Sequence, residues 1–253
     1  RSGRKKRSME GASDKRTWHF VARNVHDVAW AADRDWLHST AQVPDGPLLH
    51  FYYKNDPEIL PVWEELPGYM VRSFQYMNTH FGKYPWPVYS FVQGGDGGME
   101  YPMLTLITGK RRLGSLVGVS VHESVHSWYY GALASNEARF PWMDEGFTEY
   151  AGSKVMQELF PKAGSPHAGA MKGYLALFDS GRDEPLSVHA DHYATNFAYG
   201  VNAYSKGEMF LDQLGYVIGE DVLMRGLVRY FNTCKFKHPE PIDVERIMEK
   251  ESG

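Results

Sequence analysis

Two histidines four residues apart with a glutamate beside the first, HESVH at 122–126, constrain this chain more than any other feature. On a helix, positions i and i+4 share one face, so both imidazoles can turn towards a single ion while Glu123 keeps its carboxylate near the same edge. Zinc in catalytic sites commonly takes three protein ligands and leaves a fourth position open, so the pattern calls for one more His, Asp or Glu. The segment PWMDEGFTEYAG supplies it: Glu145 stands nineteen residues beyond His126. That is room for a first helix to end near Ser135 and Asn136, turn, and return antiparallel. Asp144 and Glu149 are alternatives on the same segment, and Glu149, one helical turn after Glu145, could orient a ligand histidine from behind.

Periodicity places this helix pair in a larger order. PDGP at 44–47 marks a turn, and LLHFYY at 48–53, VYSFV at 88–92 and MLTLIT at 103–108 read as strands. QGGDGGMEYP between the last two reads as a glycine-rich loop. TWHFVARNVHDVAW at 17–30 reads as short strand and loop. Apolar residues from Val62 to Phe81 recur at spacings of three and four and predict an amphipathic helix that runs across Pro67. From Ser115 onward helical patterns dominate, over about 115–134, 143–160, 167–180, 197–218, 220–233 and 241–251. The expectation is an α+β fold, a small mixed sheet followed by a mainly helical half.

Composition narrows the function classes. A chain of 253 residues with 43% hydrophobic residues and a net charge of −4 can bury a sizeable core and has no electrostatic pull towards nucleic acid. No apolar run approaches the ~20 residues that span a bilayer. The one cysteine, Cys234, excludes an intramolecular disulfide and a multi-cysteine metal site, so any metal must use His, Asp or Glu. Residues 1–16, with five basic residues among the first seven, read as a disordered tail or a remnant of cloning. His189, Asp191 and His192 read as a surface loop in preference to a second metal site, and Arg111 and Arg112 as a solvated turn.

HESVH followed at this distance by the glutamate of WMDEGF is similar to the gluzincin zinc aminopeptidases of the aminopeptidase N type. GGMEYP at 97–102 resembles the family's G-x-M-E-N exopeptidase motif, and AYSKGEMFLDQL at 203–214 resembles its Tyr-x-Lys-Gly segment. VHDVAWAAD at 25–33 resembles the end of the family's N-terminal β domain, so the likeness covers about residues 20–250. It implies a thermolysin-like catalytic domain over 44–253, with 17–43 as the end of a β domain or a linker. It also implies that the complete protein carries an N-terminal β domain and, in many relatives, a helical C-terminal domain.

The chemistry follows from these residues. His122, His126 and Glu145 would hold one zinc ion, and Glu123, next to the metal without being needed as a ligand, would serve as general base. The resemblance makes Tyr204 the donor to the developing oxyanion. Gly97, Gly98, Met99 and Glu100 would form the substrate-binding segment, in which Glu100 holds the α-ammonium of a peptide with a free N-terminus. This chain has Tyr101 where the family motif has Asn. The expected reaction is removal of N-terminal residues from peptides; the alternatives are a zinc endopeptidase or another amide or epoxide hydrolase of this fold, and a zinc-binding or peptide-binding scaffold without turnover.

Overall fold

The computed structural model describes residues 17–253; the tail expected over residues 1–16 lies outside them. Five strands form one mixed sheet in the order β1-β2-β3-β5-β4. They are β1 (Trp36–Gln42), β2 (Leu48–Lys54), β3 (Val88–Gly94), β4 (Gly98–Tyr101) and β5 (Leu104–Thr108). β2, β3 and β5 run parallel to their neighbours in that series, whereas β1 and β4 are antiparallel edge strands. Alternation in β2 turns Leu49, Phe51 and Tyr53 into the core.

Against this face packs α1 (Leu60–His80), through Trp63, Leu66, Met70, Phe74 and Met77 at helical spacing. Phe74 touches Phe91 of β3 and Trp128 from the histidine segment, so one aromatic cluster joins sheet, α1 and site helix. The mainly helical half then follows as α2 (Leu113–His126), α3 (Pro141–Leu159), α4 (Ala168–Asp179), α5 (Asn196–Gly200), α6 (Gly207–Ile218), α7 (Glu220–Cys234) and α8 (Pro241–Ser252).

Two features depart from the periodicity reading. Residues 17–30 carry no strand, because their apolar side chains find no sheet edge: Trp18, Phe20, Val28 and Trp30 are exposed. The glycine-rich segment expected as a loop instead forms β4, which pairs with β5 from Gly98 opposite Ile107 to Tyr101 opposite Leu104. Glycine weakens a strand on its own, and here the ladder to β5 together with Arg111, whose Nη2 donates to Gly97 O at 2.5 Å, holds the segment. Arg111 is thus no free solvated turn. The boundary expected between residues 43 and 44 falls in the turn joining β1 to β2, which pair over seven residues. Cys234 is buried in the core. Among the described residues no helix is long and apolar enough to cross a membrane.

Candidate active site

α2 carries His122, Glu123 and His126, and α3 returns against it with Asp144, Glu145 and Glu149. The chain continues from α2 into a π-helical turn, Ser127–Ala132, that buries Trp128 and Tyr129; Trp128 Nε1 donates to Gly82 O at 2.6 Å and fixes the C-terminal end of the histidine helix to the end of α1. Only glycine fits that end of α1. Gly82 has φ +114, and a Cβ there would lie 2.3 Å from the Phe231 ring.

The two imidazoles stand 4.7 Å apart with Nε2 atoms facing one another at 3.1 Å, and Glu145 Oε2 lies 3.3 Å from each. Tetrahedral zinc with bonds of about 2.0–2.1 Å requires neighbouring ligand atoms roughly 3.3–3.4 Å apart, so this triangle has the size of one face of such an ion's shell. Glu145 Oε2 is buried without a hydrogen-bond partner, which a cation would remedy. The residues fit the metal. Both Nδ1 atoms are occupied from behind: His126 Nδ1 lies 2.5 Å from Asp144 Oδ1 and 3.2 Å from Thr148 Oγ1, and His122 Nδ1 lies 2.8 Å from Glu149 Oε1. Carboxylates in those positions fix the tautomer that presents Nε2 forward. Asp144, weighed above as an alternative ligand, stands behind His126.

Charge is concentrated here. Burial opposes protonation of His122, but Glu145 and Glu149 outweigh it and, with no cation present, push the imidazole up to about 9. Burial raises Asp144 to about 8 beside His126, so that buried pair holds a proton between them. Glu145 is held well below the usual carboxylate range; burial would raise it, and the two histidines prevail. Glu123 is pushed up to about 7, chiefly by burial.

Glu123 points from α2 towards β4, and its Oε2 has no hydrogen-bond partner. A Cβ at Gly98 would come within 2.3 Å of Glu123 Oε1 and 2.6 Å of Val119 Cγ2, so a side chain at this position of β4 would collide with Glu123. One residue along is Met99, at the surface, and then Glu100, with a carboxylate oxygen inside a cluster that includes His126 and Asp144, all ligand atoms lying within 4.8 Å of one another. Gly97 sits just before the strand under Arg111.

Tyr204 reaches the site from the far side. Its hydroxyl donates to Glu145 Oε1 at 2.6 Å, its ring lies parallel to His122 at 5.9 Å, and burial beside Glu145 keeps the phenol protonated. It belongs to a second π-helical turn, Val201–Lys206, between α5 and α6. The approach depends on two glycines. A Cβ on Gly146 would lie 2.7 Å from Gly207 Cα, and one on Gly207 would lie 2.8 Å from Gly146 Cα. α3 and α6 therefore cross backbone to backbone, one residue from Glu145 and three from Tyr204.

His189 and His192 lie on a short surface turn and belong to neither group of potential metal-holding residues found among the described residues. Residues missed by sequence reasoning are Thr148, Arg111, Gly146 and Gly207. Gly146 follows the ligand glutamate and Gly207 ends the Tyr-x-Lys-Gly segment, and that proximity was the available signal.

Known proteins resemble this chain in sequence and in fold. The chain is 30% identical over 193 residues to Aminopeptidase B of Mus musculus, which covers 69% of this chain and 29% of that protein. It is 30% identical over 162 residues to Leucine aminopeptidase 2 of Emericella nidulans, covering 58% of this chain and 25% of that one. The crystal structure of an M1 zinc metallopeptidase from Deinococcus radiodurans has a similar fold, with a TM-score of 0.69 at 19% identity, over 87% of this chain and 49% of the other. The chain spans less than a third of these curated relatives and about half of the solved structure. The family model described as Peptidase family M1 domain matches residues 68–253, and the chain belongs to peptidase family M1.

Proposed function

We propose that this chain is the catalytic part of a zinc-dependent aminopeptidase that removes the N-terminal residue of peptides. The observation that carries the reading is the triangle of His122 Nε2, His126 Nε2 and Glu145 Oε2, with Glu123 next to His122 on α2 and Glu100 in a cluster with His126 and Asp144. When bound there, zinc supplies Lewis acidity, polarising a carbonyl and acidifying water. Glu123 takes the proton of the attacking water at its free Oε2 and delivers it to the nitrogen of the leaving amine. Tyr204 turns its hydroxyl proton from Glu145 towards the carbonyl oxygen as negative charge develops on it. Glu100 pairs with the α-ammonium and sets the cut one residue from the end, and the bare backbone of Gly97 and Gly98 lets the peptide lie against the exposed edge of β4 as an added strand. The 43/44 boundary and the domains expected on either side belong to the same proposal.

The test is hydrolysis of an aminoacyl-anilide by the zinc-loaded chain. Glu123→Gln should lower kcat/KM by about 10²–10⁴-fold at unchanged zinc content. Bound zinc with equally negligible hydrolysis in both proteins would instead favour a scaffold. Glu100→Ala should penalise free peptides far more than N-acetylated ones, and an equal effect on both would remove the exopeptidase assignment.

A further inference from the structure

Tyr204 sits on a turn that is held from outside itself. A π-helical turn carries one extra residue and occurs mostly as a single turn at functional sites, so its place depends on what grips it. Here the grip comes from α4 and the segment that follows it. Glu208, in the first turn of α6, places Oε1 2.7 Å from Nδ1 of His167 at the N-cap of α4, and both side chains are buried. In the middle of α4, a Cβ on Gly173 would lie 3.0 Å from Ser205 Oγ. Beyond the end of α4, Lys206 Nζ donates to Asp183 Oδ1 at 2.6 Å and to Glu184 O at 2.7 Å, with the centre of the Tyr174 ring 5.6 Å away. Three near neighbours of Tyr204 in the chain thus hold α4 at its start, at its middle and just past its end.

The geometry points to Lys206 as a positioning residue for Tyr204: by bonding Asp183 and Glu184 it fixes the π-helical turn where the phenol can reach the oxygen of the substrate carbonyl. The inference rests on the reading of Tyr204 as the oxyanion donor. Lysine suits the task because one ammonium carries several donors and serves a carboxylate and a carbonyl at once. The tie is also sheltered, with the lysine side chain only 18% exposed, and a charged hydrogen bond in such a place is stronger than a neutral one. Its anchor is itself fixed. Leu186 packs on the core, Ala194 N donates to Glu184 Oε1 at 3.1 Å, and Ala190 N donates to Ala138 O at 2.8 Å, shortly before α3. Asp183, Glu184 and Tyr174 are neither proposed ligands nor reacting groups, so Lys206 acts through the turn.

Lys206→Met keeps an unbranched stem and removes the donors. With zinc content unchanged, its kcat for an aminoacyl-anilide should fall about tenfold and KM should stay within about twofold, because a misplaced group costs up to ~10²-fold and the loss cannot exceed that of Tyr204→Phe. Lys206→Arg should recover most of the loss. Asp183→Ala cuts the tie and leaves the cation in place, so it should lower kcat in the same direction, and it stands in where Lys206→Met fails to fold. The double variant should be no worse than Lys206→Met alone. Full kcat in Asp183→Ala would mean that Lys206 acts by its charge alone and overturns the proposal. The deciding comparison is made in Tyr204→Phe, where Lys206→Met should cost nothing further because the group it positions is gone. A loss of the same size in that background marks a general structural role and overturns the proposal, as does unchanged kcat in Lys206→Met. If Tyr204→Phe keeps full kcat, or the chain hydrolyses no anilide, the reading of the site falls instead, and fluorine NMR then decides about Lys206 without turnover. The resonance of 3-fluorotyrosine placed at position 204 should shift in Lys206→Met and return in Lys206→Arg; one position common to wild type and both variants overturns the positioning role.

Discussion

Two helix contacts meet at the same site and are built in opposite ways. Between α2 and α3 the contact is made by polar side chains: Asp144 on His126, Glu149 on His122, Glu145 on both. Between α3 and α6 it is made by the lack of side chains, with Gly146 and Gly207 letting backbones touch so that Tyr204 reaches Glu145. In the proposed mechanism the first contact would hold the ion, and the second would bring in the group that answers charge on the substrate. Binding and turnover should therefore be separable by mutation, one contact at a time.

The strongest separation is expected from Tyr204→Phe, which removes a donor and leaves the triangle intact. kcat should fall about 10²–10³-fold with zinc content unchanged, and a matching loss of zinc would show that the hydroxyl serves Glu145 alone. Asp144→Asn acts on the other contact: zinc affinity should fall by about 10–100-fold, read by competition with a chelator, and Glu149→Gln should act in the same direction through His122. Gly207→Ala then tests the crossing. A Cβ 2.8 Å from Gly146 Cα must push the helices apart, costing about 1–3 kcal/mol in denaturant unfolding and lowering turnover more than zinc affinity. Unchanged stability and turnover would mean the crossing has slack.

The smallest effect is on pH. In the metal-free chain His122 is raised from 6.5 to about 9, so its pairing with Glu145 and Glu149 contributes stability that is fully present below pH 6.5 and is lost as pH rises through about 9. A metal needs the imidazole unprotonated and must displace that proton at low pH. The gap in Tm between zinc-loaded and metal-free protein should therefore widen from pH 6.5 to pH 9, by about a few degrees. A constant gap would remove His122 from the ligand set.

Much of the fold was legible because helices advertise themselves over many residues. The apolar spacing from Val62 to Phe81 locates α1 to within two residues at either end, and the segment read over 220–233 matches α7. β4 was not legible, since four residues beginning with glycine show no alternation and become a strand only when β5 offers its edge. Nor were the two π-helical turns, because one extra residue in a turn leaves no mark on a pattern of threes and fours.

The sequence by itself determined the α2–α3 half of the site, because side chains at i and i+4 must share a helical face whatever surrounds them, and nineteen residues are enough to bring Glu145 back to them. Only the tertiary structure decided that Asp144 stands behind His126, that Gly98 makes room for Glu123, and that Gly146 and Gly207 let Tyr204 arrive. Those are contacts between segments far apart in the chain, set by how closely two backbones can approach, and residue spacing along one segment carries no record of that distance.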